Sequence, residues 1–393
     1  MMIKRILALS VSLALCSTAM AAELRHVDNP IPGNYIVVLD ENALLGPGRS
    51  ADAPGMAIAV EKAAIDLAAR LNLNVGHLYQ HALAGFSTQA SPQALKALLR
   101  DPRVAYVEED GLVELGATQS NATWGLDRVD QRDRPLNGTY VYDYVGSAVR
   151  AYVIDSGILA SHNDFGGRVL SGYTAISDGR GTSDCNGHGT HVAGTIGGAT
   201  WGVAKGVRLV PVRVFGCTGG SANSTIIAGI DWVSANRVLP AVANMSLGGG
   251  ASSATDTATN NLINRGVTVV VAAGNDNADA CNYSPARVAA AITVGSTTST
   301  DARSSFSNFG SCVNIFGPGS SIMSTWYTSN SATNTISGTS MASPHVAGAA
   351  VLVLAADNAA SPATVRSRIY NKASLNRLTS IGSGSPNRLL YSR

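Results

Sequence analysis

The sequence predicts an α/β domain, built on a mostly parallel sheet with helices on both faces and preceded by a small α+β unit. Three observations carry this. From Trp124 onward, short β-branched apolar runs alternate with helical segments, the pattern of a parallel sheet covered on both sides. Residues 34–110 instead follow the order β-α-β-β-α-β. Charge divides at the same place: residues 22–116 hold 7 Lys+Arg against 12 Asp+Glu, net −5, whereas 117–393 hold 19 Lys+Arg against 14 Asp and no Glu, net +5. A chain of 393 residues is also longer than one compact unit usually needs.

Residues 1–21 read as a secretory signal. Lys4 and Arg5 form a basic start, residues 6–15 an apolar core, and Ala19-Met20-Ala21 a small-residue cleavage site. That core is too short to span a membrane, and no later stretch reaches about 18 uninterrupted apolar residues. Leu15 before Cys16 is too bulky for a lipoprotein box. The expected product is secreted, extracellular or periplasmic, with no membrane attachment.

In the small unit the pattern predicts strands at 35–39, 75–79, 85–88 and 104–108. A Gly/Pro/Ala loop at 46–55 leads into a helix at 56–71 of period close to 3.6, and Ser91-Pro92 opens a second helix over 92–100. The order is that of a ferredoxin-like unit. Residues 110–121 read as a cut-prone linker, and the opposite charges on either side suggest an acidic piece that docks on a basic one. In the larger unit a strand at 149–154 ends at Asp155. Helices follow at 188–196, 224–235 and 256–265, with strands at 207–215, 242–246 and 267–272. The Ser/Thr/Ala stretches 251–259 and 328–336 read as surface loops. There is no internal repeat, and no basic run or aromatic-interleaved patch for nucleic acid.

Four cysteines follow the signal: Cys185, Cys217, Cys281 and Cys312. An even number in a secreted chain suggests disulfides with three connectivities; pairing sequence neighbours gives Cys185–Cys217 and Cys281–Cys312. No CxxC or Cys/His spacing suggests zinc.

Three stretches carry chemistry. In Gly338-Thr339-Ser340-Met341-Ala342-Ser343-Pro344-His345, Ser343 stands before a proline, a residue favoured in a helix's first turn, and residues 346–354 run apolar on every face. Ser343 then reads as a nucleophile at the start of a buried helix, its Oγ exposed and its N–H free for an anion. A lone Ser-Pro is otherwise an N-cap serine. Asp155 ends a strand at the carboxyl edge of the sheet, where α/β proteins place reactive groups. His188 lies between glycines in Asn186-Gly187-His188-Gly189-Thr190-His191, while His191 reads as a packed histidine. Together they form orienting acid, base and nucleophile in chain order Asp, His, Ser.

These stretches resemble the signature blocks of the subtilisin-like serine proteases, the proteinase K branch in particular. Residues 117–126, 244–250, 272–275 and 383–391 are similar to the aqualysin-like members of that branch, and the resemblance covers nearly all of 22–393. It implies residues 117–393 as the peptidase domain and 22–116 as an inhibitory, chaperoning propeptide. The implied activity is that of a self-processing, monomeric serine endopeptidase acting on peptides and proteins. The same two disulfides are implied, and no extension after the protease is expected. Asn275 is assigned to the oxyanion hole beside the Ser343 N–H. Gly219, Gly220 and Ser221 on one side, and Leu247, Gly248 and Gly249 on the other, are expected to form open strand edges for the substrate backbone. Ala272, Ala273 and Gly274 are small, so the pocket they border should be wide and take a large apolar or aromatic residue before the scissile bond. No cofactor is implied for catalysis. A structural Ca²⁺ is implied at Asp127, Asp130 and Gln131, although Asn137 stands where an Asp is expected and Thr139 where an Asn is expected. A second calcium site uses backbone at Pro285 and Arg287, with Asn314 in place of an Asp.

Overall fold

A computed structural model describes residues 22–27, 30–47, 55–111 and 116–393. The signal over 1–21, most of the 46–55 loop and residues 112–115 lie outside the described residues. The chain divides into two units, Met1–Val113 and Glu114–Arg393.

In the first unit, strands Val104–Gly111, Pro30–Leu39, Gly85–Gln89 and Asn74–Tyr79 lie side by side in that order, all antiparallel. This is the expected ferredoxin-like arrangement. Glu23–Arg25 adds a parallel edge strand on Val104–Gly111, and a short helix Glu41–Leu45 is capped by Asp40, whose carboxylate accepts from Asn42 N–H at 2.8 Å. The sequence pattern showed neither. The helix Met56–Leu71 buries Met56, Val60, Ala63, Ala64 and Leu67 against Val37, Phe86 and Val107 of the sheet. Those buried positions fall at i, i+4, i+7, i+8 and i+11, one face of a 3.6-residue period.

The second unit holds a nine-stranded sheet. Its order is Ser374–Leu375, Arg388–Leu389, Ile315–Pro318, Ile292–Thr297, Thr268–Ala272, Ala241–Met245, Arg150–Asp155, Arg208–Arg213, Tyr173–Thr174. Every neighbouring pair is parallel except the first. Alternate residues of each central strand go to opposite cores. Ala151, Val153, Val242 and Val270 join Val192, Ile196, Val346 and Ile369, which come from the helices His188–Gly197, Thr339–Ala356 and Pro362–Lys372. Tyr152, Ile154, Ala243, Val269 and Val271 join Ile226, Ile230, Val233 and Leu262 of the helices Asn223–Asn236 and Ser253–Asn264 on the other face. Burial on both faces is why these strands read as unbroken apolar runs, each Val or Ile contributing roughly 1.5–3 kcal/mol.

Several local expectations give way. Residues 117–120 are not linker: Ala117–Ser120 pairs antiparallel with Thr139–Tyr142. The 251–259 stretch enters a helix at Ser253, because the Ser252 hydroxyl caps the Thr255 N–H at 3.3 Å. Thr333–Ile336 pairs with Ile322–Thr325 and is no loop. Both disulfides form as Cys185–Cys217 and Cys281–Cys312, with Cα separations of 4.8 and 5.3 Å. Closing loops of 32 and 31 residues, each constrains the unfolded chain by roughly 3–4 kcal/mol in the chain-entropy description. The helix Thr339–Ala356 is long and apolar enough to cross a bilayer, yet 78% of it is buried within the unit, as a core helix is.

Candidate active site

A cleft of about 320 Å³ opens at the carboxyl end of the sheet, lined by Asp155, Ser156, His188, Gly219, Gly220, Leu247, Gly248, Asn275 and Ser340 among others. A roomier groove of about 550 Å³ runs between the helices Asn223–Asn236 and Ser253–Asn264, but it holds no pairing of nucleophile and base. The chemistry lies in the smaller cleft.

Asp155 ends its strand and is almost wholly buried. Its Oδ1 accepts from its neighbour Ser156 N–H at 2.7 Å and from His188 Nδ1 at 2.8 Å; its Oδ2 has no partner among the described residues. His188 is the first residue of its helix, its side chain 31% exposed toward the cleft. Gly189 lets that helix end press on the turn that follows the strand: a Cβ there would lie 2.2 Å from the Gly157 carbonyl oxygen. Asp184, which no sequence motif singled out, accepts from Ser156 Oγ and from the N–H groups of Asn186, Gly187 and Thr190, all at 2.9 Å. This carboxylate at a helix N-terminus locks the turn that carries His188. Burial lowers the His188 pKa, but the Asp155 charge and hydrogen bond, with Asp184 behind them, outweigh it and the net shift is upward. The bond to the Asp155 carboxylate puts the ring proton on Nδ1 and leaves Nε2 as the acceptor.

Ser343 is not in the cleft, which corrects the expectation from sequence. The helix begins at Thr339, so Pro344 falls within its second turn and Ser343 is fully buried. Its Oγ donates to Asn244 Oδ1 at 2.7 Å, Asn244 Nδ2 donates to Ser246 Oγ at 2.9 Å, and Ser246 Oγ donates to the Ser340 carbonyl at 2.8 Å. That last bond explains how the helix tolerates its proline: Pro344 has no N–H to return to the Ser340 carbonyl, and Ser246 supplies the missing donor. The serine that lines the cleft beside His188 and Asn275 is Ser340, half-buried in the helix's first turn. Its hydroxyl makes one long bond, to the Ser246 carbonyl at 3.3 Å. Thr339 N–H is taken by Asn275 Oδ1 at 2.8 Å and Met341 N–H by the Gly338 carbonyl at 3.0 Å, while the Ser340 N–H has no partner among the described residues. Thr339 Oγ1 also donates to Asn275 Oδ1, at 2.9 Å, so the carboxamide is oriented with its NH₂ as the remaining donor. The signal that points to Ser340 is its place two residues after Gly338, where first-turn N–H groups are unsatisfied; the proline drew attention one turn too far.

Gly219 and Gly220 line the cleft, both at positive φ (90° and 22°). Ser221 does not; its hydroxyl donates to the Val214 carbonyl at 2.6 Å. Leu247 and Gly248 border both the cleft and a side pocket of about 200 Å³, which Gly249, Ala272, Ala273, Gly274 and Asn275 also line. His191 is a packed histidine: its Nε2 meets the carbonyls of Ile322 and Asn334 at 3.0 and 3.2 Å, and burial lowers its pKa to about 4.

The expected calcium ligands do not form an oxygen shell. Asp127 receives donors instead, the Gln131 amide on Oδ1 along with Asn137 N–H (3.2 Å), and Gly138 N–H on Oδ2 (2.6 Å). Asn137 Oδ1 is turned to Thr139, accepting its N–H at 2.9 Å and its hydroxyl at 2.6 Å. Asp130 Oδ1 is buried without a partner among the described residues, burial and then the Asp127 charge pushing that carboxyl up to about 6 against the lowering effect of Val141 N–H, and the Gln131 amide is turned so that its Nε2 donates to Asp127. The few side-chain oxygens left open here fall short of the six to eight that Ca²⁺ takes. At the second place Asn314 Oδ1 is spent on the Thr293 N–H at 2.9 Å. Among the described residues, one further cluster, Asp178 with Cys185 and Cys217, offers ligand-type atoms, but its cysteines are bridged and its Asp pairs with Arg213.

Known proteins share both units of the chain. The Subtilase family matches residues 146–389, and the peptidase inhibitor I9 family matches residues 34–116. An extracellular serine proteinase of Thermus sp. (strain Rt41A) is 57% identical over 367 residues, covering 92% of this chain and 90% of the relative. Alkaline serine exoprotease A of Vibrio alginolyticus is 46% identical over 421 residues, covering 100% of this chain and 78% of the relative. The crystal structure of a cold adapted subtilisin-like serine proteinase superposes with a TM-score of 0.68 at 54% identity, over 70% of this chain and 99% of that one.

Proposed function

The chain belongs to the subtilase family and is a serine endopeptidase; on that premise we propose that Ser340 is its nucleophile, His188 its general base and Asp155 the orienting carboxylate. The observation that carries the assignment is the pairing of two facts. Ser340 shares the cleft with a His188 held at 2.8 Å by Asp155, while Ser343 is sealed in the core.

The chemistry follows from these positions. His188 Nε2 takes the proton from Ser340 Oγ as the oxygen attacks the scissile carbonyl, and Asp155 stabilises the imidazolium that forms. The developing oxyanion is met by the Ser340 N–H and the Asn275 NH₂. His188 then returns its proton to the leaving amine, and water repeats the sequence on the acyl-enzyme. No cofactor takes part. The substrate backbone lies between the edges at Gly219-Gly220 and Leu247-Gly248, and the side pocket takes a large apolar or aromatic residue before the scissile bond.

The acidic 22–116 segment acts as chaperone and inhibitor, removed by self-cleavage near Gly116 or after Leu115. The I9 match over 34–116 supports this. The signal-like residues 1–21, together with a Thermus relative named as extracellular, support secretion. The test is expression of Ser340→Ala and Ser343→Ala in a protease-free host. The first is expected to accumulate uncut precursor with no casein hydrolysis, the second to process itself. Self-processing by Ser340→Ala refutes the assignment.

A further inference from the structure

Resting on the self-processing reading above, we infer that Asp143 receives the α-ammonium group that cleavage near Gly116 creates, so that maturation adds an ion pair the precursor lacks. Gly116, Ala117 and Asp143 all belong to the second unit. The strand Ala117–Ser120 pairs antiparallel with Thr139–Tyr142, Ala117 opposite Tyr142, so the next pair outward is Gly116 and Asp143. Their approach is close: a Cβ on Gly116 would lie 2.9 Å from Asp143 Oδ1. The Asp143 side chain is 39% exposed, and Arg393 Nη2 stands 3.8 Å from the same oxygen. That is longer than a charge-assisted hydrogen bond and leaves the carboxylate able to take a second cation. Two further charged groups face this edge. Lys205 Nζ stands 5.5 Å from the centre of the Tyr142 ring, and Asp130 accepts from Val141 N–H at 2.7 Å.

Hydrolysis changes the charges at this point. The C–N bond breaks, the water oxygen joins the carbonyl carbon as a carboxylate, and both water protons go to the nitrogen as an ammonium. Asp143 repels the new carboxylate and attracts the new ammonium, so one side chain favours departure of one end and retention of the other. A cut after Gly116 puts the ammonium on Ala117, and a cut after Leu115 puts it on Gly116; both nitrogens flank the residue that faces Asp143. The retained end is also held beforehand. Gln119 Nε2 donates to the Thr200 carbonyl at 3.0 Å, Ala122 N–H to the Gly138 carbonyl at 3.0 Å, and Trp124 Nε1 to the Ser321 carbonyl at 3.2 Å. The strand therefore loses little further freedom when the pair forms. Pairing raises the pKa of the ammonium above the ordinary α-amino range. Its stabilisation is full below that range and is lost as pH rises through the raised value.

The experiment places Asp143→Asn in two backgrounds: mature enzyme blocked by a serine-directed inhibitor, and the uncut Ser340→Ala precursor. The contact with Arg393 is lost in both, and Lys205 and Asp130 are present in both, so the difference between the two shifts in thermal midpoint isolates the ammonium. At pH 7 the mature midpoint is expected to fall about 1–3 °C further than the precursor's. Above about pH 10, where the amine is neutral, the excess is expected to vanish. Equal shifts at pH 7 overturn the inference. If Asp143→Asn does not fold, the pH dependence of terminal-amine acylation in the inhibited wild type decides. A pKa above the ordinary range that falls with added salt supports the pair, and one within the range overturns it. N-terminal sequencing that places the mature end elsewhere than Gly116 or Ala117 also overturns it. A Ser340→Ala chain that processes itself would instead refute the nucleophile assignment.

Discussion

The first and second turns of the helix Thr339–Ala356 carry two serines in different states. Ser340 is half-buried at the open end, lining the cleft with an unpartnered N–H and a loosely held hydroxyl. Ser343 lies about 4.5 Å further along the axis at 1.5 Å rise per residue, inside the core, with its hydroxyl committed to Asn244. The two are joined: the Ser343–Asn244–Ser246 chain ends on the Ser340 carbonyl and ties the first turn to the strand Ala241–Met245. Labour is thus divided within one helix. A helix end supplies reactivity because its N–H groups are unsatisfied; the turn behind it supplies rigidity because its polar groups are fully bonded.

The most severe test removes each hydroxyl in turn. Ser340→Ala is expected to reduce kcat by about 10⁶, the magnitude known from subtilisin, a member of this same family. Ser343→Ala leaves the Asn244 carbonyl without its donor in a buried place, so it is expected to cost about 1–3 kcal/mol of stability, with kcat reduced less than tenfold. Calorimetry beside a turnover assay separates the two. A Ser343→Ala enzyme of normal stability and no activity would invert the assignment.

Next in size is Asp155→Asn. It removes the charge that raises the His188 pKa and leaves burial, which lowers it. Catalysis needs the neutral ring, so in the wild type kcat/KM falls as pH drops through a pKa above 6.5. In the variant the acid limb is expected at lower pH, beneath a maximum reduced by about 10⁴. A pH–rate profile whose acid limb stays in place would show that Asp155 does not set the titration.

Asn275→Ala tests the reactive turn from the other side. The expected loss is about 10²–10³ in kcat with KM little changed, the magnitude known for an oxyanion-hole asparagine in subtilisin. A rise in KM at constant kcat would mean that Asn275 holds the ground state instead.

The smallest effect concerns the calcium expectations away from the cleft. Wild-type protein is expected to show nearly the same thermal midpoint in chelator and in millimolar calcium, because Asn314 Oδ1 and both Asp127 carboxylate oxygens already accept from protein donors. Asn314→Asp adds a charged oxygen ligand at the second calcium site that the family resemblance implies and is expected to raise the midpoint in calcium by a few degrees. Equal calcium shifts in both proteins would count against it.

Much of this molecule was legible from local pattern. The alternation of β-branched runs with helices set the parallel sheet, because strands buried on both faces must be apolar throughout. Asp155 and His188 stood out because a carboxylate at a strand end and a histidine between glycines are local arrangements. The cysteine pairs were sequence neighbours. The edge strand Glu23–Arg25 escaped notice because three residues carry too little periodicity to read. The donors around Asp127 escaped because backbone N–H groups leave no mark in a sequence.

Local pattern in the chain thus established which elements exist and which residue types the chemistry draws on. Which serine lines the cleft was settled only by packing. Proline is a local signal for a helix start, and by that signal Ser343 precedes the first turn. The signal failed because Ser246, on a segment 94 residues from Ser340 in sequence, satisfies the carbonyl that Pro344 cannot, so the helix runs on through its proline. Ser340 and Ser343 differ little in local chemistry. They differ in depth, and depth is set by how the whole helix enters the core.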